Sequence, residues 1–166
     1  MTGGGNSGLM KEVADGYASR AVSLEQFQGI ILNTYASSLD DCHPVLRKEN
    51  IIWVETLHQR MDYFQSSADV FIVLPGGFAT LHELTDCLVH NKYMNKPIIL
   101  LNIDGFWNSL IHQFHDIVAS NPAASKNLMG FVVVDTLSEC IQLLLGFELV
   151  LSRDIEDSII AELSQQ

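Results

Sequence analysis

The amino-acid sequence predicts an α/β protein built on a parallel β-sheet with helices on both faces. Short segments that are apolar throughout alternate along the chain with segments whose apolar residues recur at helical spacing. Strands without polar alternation are typical of parallel sheets that are buried on both faces. One junction, within residues 70–83, joins such a strand to a helix through adjacent glycines. Ligands of parallel sheets bind at strand ends of this kind.

Length and composition indicate one globular domain over residues 1–166, with 48% hydrophobic and 17% charged residues. The formal net charge of −11 argues against a nucleic-acid surface, which needs a basic face, but leaves room for a small anionic ligand. The three cysteines form no CxxC pair, so we expect reduced thiols in a cytoplasmic protein. No apolar run has the length of a membrane span, so we expect no membrane partner.

A glycine-rich segment, residues 3–8, stands in front of the first predicted helix. Glycine-rich loops at helix starts bind phosphates through free N–H groups in nucleotide-binding α/β units. From the residues alone, a flexible tail is an equally good interpretation of this segment. The helix that follows has an apolar face made of Leu9, Met10, Val13, Ala14 and Tyr17.

Five apolar segments predict the strands of the sheet, and the residues between the first two predict an irregular excursion. The predicted strands are 29–32, 51–54, 70–74, 98–102 and 131–134, and the excursion is 34–50. We expect the strand at 70–74 to be buried, because all of its residues are apolar.

Three helical patterns lie between these strands. Leu57, Met61 and Phe64 share one face of the first. The second begins after the glycine pair and ends near Tyr93, because the proline that follows disfavours helix. The third covers 106–118 after a turn at Asp104 and Gly105, and its residues predicted to face inward are Leu110, Ile111, Phe114, Ile117 and Val118.

The C-terminal part carries two more helical patterns. Ser138 is a typical N-cap residue, and it predicts a short helix through Leu145. Residues 152–163 form an amphipathic pattern that either packs back on the domain or docks on a partner.

The glycine junction contains the residues best suited to chemistry. Gly76 and Gly77 leave the backbone open to a ligand, and a helix start offers free N–H groups to a phosphate. Thr80 and Glu83 have the spacing of a capping box, which is one role for the Glu83 carboxylate, and catalysis is a second role that does not exclude the first. Arg60 is either a solvated surface residue or a partner for a phosphate. The histidines and cysteines lack metal-ligand spacing, so we expect no metal.

Four segments have the sequence and the order of motifs found together in one known family. Residues 75–83 are similar to the hallmark PGGxGTxxE, 3–10 to GGGxxGLM, 57–60 to MHxRK, and 101–110 to LNxDGYYxxL. On these motifs the chain resembles the Lonely Guy (LOG) family of cytokinin riboside 5′-monophosphate phosphoribohydrolases, which are often mislabelled as lysine decarboxylases.

The resemblance implies a fold, a reaction and an assembly. The fold is a Rossmann-like, doubly wound parallel sheet in a homodimer or larger homo-oligomer. The reaction hydrolyses the N-glycosidic bond of a cytokinin or purine nucleoside 5′-monophosphate and yields the free base and ribose 5-phosphate. No cofactor is implied, and no lysine stands in a recognisable cofactor-anchoring context.

The resemblance also implies roles for particular residues. Glu83 would support the oxocarbenium-like sugar or activate water, and Arg60 would fix the ligand and stabilise charge beside the scissile bond. The implied phosphate- or substrate-binding positions are Gly76, Gly77, Phe78, Ala79, Thr80, Gly4, Gly5 and Asn6.

Three features differ from the family pattern. We expect the family's first strand, helix and second strand to be lacking here, which would expose a sheet edge. Ala79 replaces the last glycine of the hallmark, and it would be strained if that position required a positive φ. Met61 stands where the family has a lysine. These differences support an alternative function, a catalytically impaired nucleotide- or cofactor-binding protein similar to a molybdenum cofactor carrier.

Overall fold

The computed structural model describes residues 1–20, 23–35 and 38–146, and it has the predicted α/β architecture. The amphipathic pattern at 152–163 lies outside these residues. The strands are β1 (Gly29–Leu32), β2 (Ile51–Val54), β3 (Phe71–Val73), β4 (Ile98–Leu101) and β5 (Phe131–Val134). The helices are α1 (Gly8–Arg20), α2 (Leu57–Ser67), α3 (Phe78–Met94) and α4 (Asn108–Ser120), and residues 137–146 are also helical.

The strands pair in parallel, as predicted, but within the described residues they form two sheets. β1 pairs with β2 in the first sheet, and the second has the order β3, β4, β5. Thr2 extends the first sheet by one bridge, because it pairs in parallel with Gly29 of β1. The excursion between β1 and β2 contains two short 3₁₀ turns, Leu39–Asp41 and Lys48–Asn50, and is otherwise irregular as expected.

The core of the second sheet is centred on β4, which is buried along its whole length. Ile98 and Leu100 face a cluster that includes residues of α2, α3 and α4. Ile99 and Leu101 face the opposite cluster, where Cys140 of the last helical segment packs. Both faces of β4 are therefore covered, which explains why its sequence is apolar without alternation.

The outer strands of this sheet are less buried than the sequence predicts. Ile72 of β3 is 44% exposed, and Val132 and Val133 of β5 are each 37% exposed. The expectation of a fully buried strand at 70–74 is therefore wrong. The reason is their position: among the residues that the structure describes, β3 and β5 pair with β4 on one side and have no strand on the other.

Three details of the predicted helices also differ. On α1, Ala14 is buried and Tyr17 half-buried, whereas the three other residues of the predicted stripe are 41–43% exposed: Leu9, Met10 and Val13. Ile117 of α4 points outward and is 45% exposed. Thr136 rather than Ser138 caps the last helical segment, because its hydroxyl accepts the Glu139 N–H at 3.2 Å.

Helix α2 packs against β1, β2 and α3, and its start is fixed by Thr56. The Thr56 hydroxyl accepts the Gln59 N–H at 3.2 Å, and the Gln59 side chain accepts the Glu55 N–H at 2.9 Å. This exchange resembles a capping box: it gives an acceptor to one N–H of the first helical turn and to the N–H of Glu55, just before the cap. It sets where α2 begins, and therefore where Arg60 lies.

Removal of this cap tests how much it contributes. We expect Thr56→Ala to lower the free energy of unfolding by about 1 kcal/mol, because one helix-terminal N–H loses its acceptor. Urea denaturation followed by circular dichroism measures the change. Thr34→Ala, at an exposed turn position, is the matched control and should leave the midpoint unchanged. Equal midpoints for both variants would contradict a stabilising cap.

Candidate active site

The glycine junction between β3 and α3 forms an open helix start. Gly77 is the N-cap of α3 and has no side chain to cap it, so the first N–H groups of this 17-residue helix have no side-chain acceptor at the cap. A Cβ on Gly76 would overlap the Thr80 hydroxyl, so the close approach of Thr80 requires glycine. The positive end of the helix dipole and these N–H groups favour an anion.

The capping-box interpretation of Thr80 and Glu83 is wrong. The helix begins at Phe78, so Thr80 already lies within its first turn and Glu83 in its second. Neither side chain caps the helix, and the Glu83 carboxylate instead binds Arg60. Thr80 and Glu83 have the spacing of a capping box, but the N-cap position is occupied by Gly77, three residues before Thr80.

Ala79 is not strained. It lies within α3, and the described non-glycine residues with a positive φ are Asn95 and Asp104. The expectation of a costly alanine depended on a positive φ at this position, and the helix removes that requirement. Phe78, the first residue of the helix, is 92% exposed.

Arg60 is buried, so its interpretation as a solvated surface residue is wrong. Its side chain is 9% exposed, and its Nη1 lies 2.5 Å from Glu83 Oε1, whose side chain is 30% exposed. Its Nε donates to the Ile30 carbonyl of β1 at 3.1 Å. Its Cζ lies 5.2 Å from the centre of the Phe64 ring. The guanidinium group therefore contacts a carboxylate, a backbone carbonyl and an aromatic ring at the same time, which its planar set of N–H donors allows.

The glycine-rich segment is paired with the sheet rather than a flexible tail. Thr2 bridges to β1, and Gly5 forms an antiparallel bridge with Cys42. Gly4 has a φ of +75°, and its N–H donates to the Thr2 hydroxyl at 3.0 Å. A Cβ on Gly4 would lie 2.8 Å from the Ile31 side chain. Glycine is therefore required here both by the positive φ and by the lack of space for a side chain. Asn6, further along the segment, is exposed.

Arg60 also connects the glycine-rich segment to helix α3. A Cβ on Gly3 would overlap Nη2 of Arg60, so the guanidinium lies directly against the backbone of the glycine-rich segment. The same guanidinium binds Glu83 of α3. Gly3 and Glu83, which are far apart in the sequence, therefore both lie against Arg60.

The contacts of Arg60 show which edge of the first sheet faces the second sheet. The Ile30 N–H donates to the Thr2 carbonyl at 2.9 Å, and the Ile30 carbonyl on the same edge of β1 accepts from Arg60. Glu83, on the far side of Arg60, belongs to the helix that follows β3. The Thr2 edge of the first sheet therefore faces the sheet of β3, β4 and β5.

Electrostatic effects around the site are visible at a neighbouring thiol. Burial raises the pKa of Cys87 to about 12, and the charges of Asp86 and Glu83 contribute to this rise. All three cysteines, Cys42, Cys87 and Cys140, are free thiols and buried, as the prediction of reduced cysteines requires. Within residues 1–20, 23–35 and 38–146, no group of three acidic, histidine or cysteine side chains could hold a metal ion.

Sequence reasoning missed the partners that hold the site together. Ile30 contributes a backbone carbonyl and Phe64 an aromatic face, and neither signal can be recognised before the fold is known. Met61, at the position where the family has a lysine, is 4% exposed and packs in the core of the second sheet. The cap at Thr56 did have a sequence signal, a threonine followed three residues later by glutamine.

The parallel strands, flanking helices and glycine-containing strand-to-helix junction define a Rossmann-like α/β protein. A sequence model of a family described as "Possible lysine decarboxylase" matches residues 10–144. Because this match covers well over half of the chain, the chain belongs to that family, the LOG family.

Curated relatives carry a more specific name. The chain is 37% identical over 90 residues to the probable cytokinin riboside 5′-monophosphate phosphoribohydrolase LOG4 of Oryza sativa subsp. japonica, an alignment covering 52% of this chain and 38% of that relative. It is 43% identical over 63 residues to the Arabidopsis thaliana enzyme LOG2, covering 37% and 30%. It is 29% identical over 163 residues to Arabidopsis thaliana LOG5, covering 96% and 66%. Even the longest of these alignments spans 66% of the relative.

The contacts of Arg60 predict a measurable stability effect. We expect Arg60→Lys to lower the free energy of unfolding by about 2 kcal/mol, because an ammonium group cannot reproduce the forked donors that reach both the Ile30 carbonyl and Glu83. Thermal and urea unfolding measure the change. Arg47→Lys, at an exposed arginine, is the matched control and should change stability little. An Arg60→Lys protein as stable as the wild type would show that these contacts contribute nothing.

Proposed function

We propose that this protein hydrolyses the N-glycosidic bond of a cytokinin or purine nucleoside 5′-monophosphate. The observation that carries the proposal is the buried Arg60, which pairs with the Glu83 carboxylate of α3 and lies against Gly3 of the glycine-rich segment. The curated relatives that the chain matches are named as cytokinin riboside 5′-monophosphate phosphoribohydrolases, which supports the same reaction.

The two loops suit the phosphate end of such a substrate. Gly76, Gly77, Phe78, Ala79 and Thr80 surround the open start of α3, where N–H groups and the helix dipole favour an anion. In the glycine-rich segment, Gly4, Gly5 and Asn6 precede the start of α1. The protein carries a net charge of −11, so binding of an anion depends on these local donors and on Arg60.

Glu83 and Arg60 divide the chemistry. During hydrolysis the bond between the base nitrogen and C1′ of the ribose breaks, a water oxygen bonds to C1′, and a proton passes to the departing base. Glu83 either stabilises the positive charge that develops on the sugar or removes the proton from water. Arg60 orients the carboxylate through the 2.5 Å contact and offsets the repulsion between Glu83 and an anionic substrate.

The alternative function remains a nucleotide-binding protein without turnover. Met61 favours it, because a buried methionine supplies no charge to an anion at the position where the family has a lysine. Ala79 does not favour it, because the helix accommodates alanine without strain. A nucleotide that raises the melting temperature without being hydrolysed would support this alternative.

The central experiment measures release of free base from adenosine 5′-monophosphate and from a cytokinin ribotide. We expect Glu83→Gln to lower kcat by at least about a hundredfold, because the amide cannot accept a proton or stabilise a cationic sugar as a carboxylate does. Chromatography separates the base from the nucleotide and gives the rate directly.

Asp116→Asn is the control for the loss of one carboxylate, since Asp116 is exposed on α4. It should retain the wild-type rate. Circular dichroism of the Glu83→Gln protein checks that its fold is unchanged. No base release by the wild type from either ribotide, or full activity of Glu83→Gln, would overturn the proposed reaction.

We also propose that the protein forms a homodimer or a larger homo-oligomer. The exposed apolar side chains of Leu9, Met10 and Val13 on α1 support it, because a contiguous apolar helix face is stabilised when a partner covers it. We expect size-exclusion chromatography with light scattering to give at least twice the monomer mass of 18.5 kDa. Val13→Glu should shift the protein toward the monomer, whereas Glu12→Gln on the same helix should not. A wild-type mass equal to the monomer would contradict the proposal.

A further inference from the structure

The buried histidine His43 lies beside the glycine-rich segment and is not part of the Arg60–Glu83 pair. It is 5% exposed, and both nitrogens of its ring are engaged. Nδ1 accepts the Val45 N–H at 3.2 Å, which places the ring proton on Nε2. Nε2 lies 3.0 Å from Oδ1 of Asp15 and donates to it. The ring is therefore held at both ends.

The backbone around His43 pairs with the glycine-rich segment. The His43 N–H donates to the Gly4 carbonyl at 3.2 Å, and Cys42 forms the antiparallel bridge with Gly5. The Gly4 N–H also donates to the Thr2 hydroxyl, so the pairing with Cys42 and His43 adds to the contacts that hold this part of the segment. Its conformation depends on the position of the Cys42–His43 backbone.

Asp15 belongs to helix α1, into which the glycine-rich segment leads. The His43–Asp15 hydrogen bond therefore links the part of the excursion that pairs with Gly4 and Gly5 to the helix that follows the segment. Lys11, one turn earlier on α1, also binds Asp15. Lys11 first and His43 second lower the pKa of the Asp15 carboxyl, so the hydrogen bond has an anionic acceptor at neutral pH.

We propose that His43 and Asp15 are positioning residues that set the shape of the glycine-rich segment for the phosphate group of a nucleotide. This inference rests on the proposed function, since it assigns the phosphate to that segment. The His43 ring takes no part in bond cleavage, because it is buried and both of its nitrogens are already bonded. The Asp15 carboxylate is paired with His43 and Lys11. The effect of His43 and Asp15 is on the affinity for the phosphate-bearing ligand.

The test compares a ligand that carries the phosphate with one that lacks it. We expect Asp15→Ala to raise both the Kd and the KM for adenosine 5′-monophosphate by about fivefold, because the segment loses one of its anchors. The kcat should stay within about twofold of the wild type, because Arg60 and Glu83 are untouched. The Kd for adenosine should not change. Calorimetry gives both Kd values.

Two variants separate positioning from general damage. Asp15→Asn keeps an oxygen that accepts from His43 Nε2, so it should restore the affinity to within about twofold of the wild type. Glu12→Ala removes an exposed carboxylate from the same helix and should have no effect. His43→Gln removes the other partner of the His43–Asp15 hydrogen bond and should also weaken binding of adenosine 5′-monophosphate. If that variant does not fold, the Asp15 variants are sufficient to test the proposal.

The outcomes distinguish this inference from the proposed reaction. Binding of adenosine 5′-monophosphate with no base release from it or from the cytokinin ribotide would overturn the reaction, while the Kd values would still decide the role of the pair. Hydrolysis by the wild type with unchanged Kd and KM in Asp15→Ala would overturn the inference and leave the reaction intact. An equal loss of affinity for the nucleotide and for adenosine would also overturn it. If the wild type binds neither adenosine 5′-monophosphate nor the cytokinin ribotide, both the proposed reaction and the positioning role of His43 and Asp15 are overturned.

Discussion

The guanidinium group of Arg60 connects parts of the molecule that the described strands leave separate. It binds a backbone carbonyl of the first sheet, lies against Gly3, and pairs with Glu83 on the helix that follows β3. The two sheets share no strand pair within the described residues, so the contacts of α2 and this side chain connect them. A lysine has the charge but not the planar fork, and therefore could not serve all these partners.

The same interaction explains why glycine is required close to the site. The Ile30 carbonyl lies on the edge of β1 where the pairing with Thr2 ends, and an unsatisfied buried carbonyl is costly. Arg60 reaches it only because Gly3 has no side chain in the way. Gly76 has a similar role at the other loop, where it admits the Thr80 hydroxyl. The glycines are needed here for close approach more than for flexibility.

Charge accounts for how the site could receive an anion in an acidic protein. Glu83 lies in the second turn of α3, behind the N–H groups of the helix start, and by itself would repel a phosphate. The buried arginine offsets that repulsion locally, where water screens less than at the surface. The family match and the Arg60–Glu83 ion pair are separate reasons to regard the junction between β3 and α3 as functional. The family match is made on the sequence and does not include the distance between these two side chains.

The sequence by itself determined the class of fold, most element bounds and the family. Strands β1, β2 and β5 have the predicted bounds, because their apolar residues stand between clear breaks in the pattern. Burial and pairing were decided only by the tertiary structure. The buried state of Arg60, the actual cap at Gly77 and the burial of His43 all depend on residues distant in the chain. Local spacing identifies a residue that could cap or catalyse, but only the packed structure shows which partner it has.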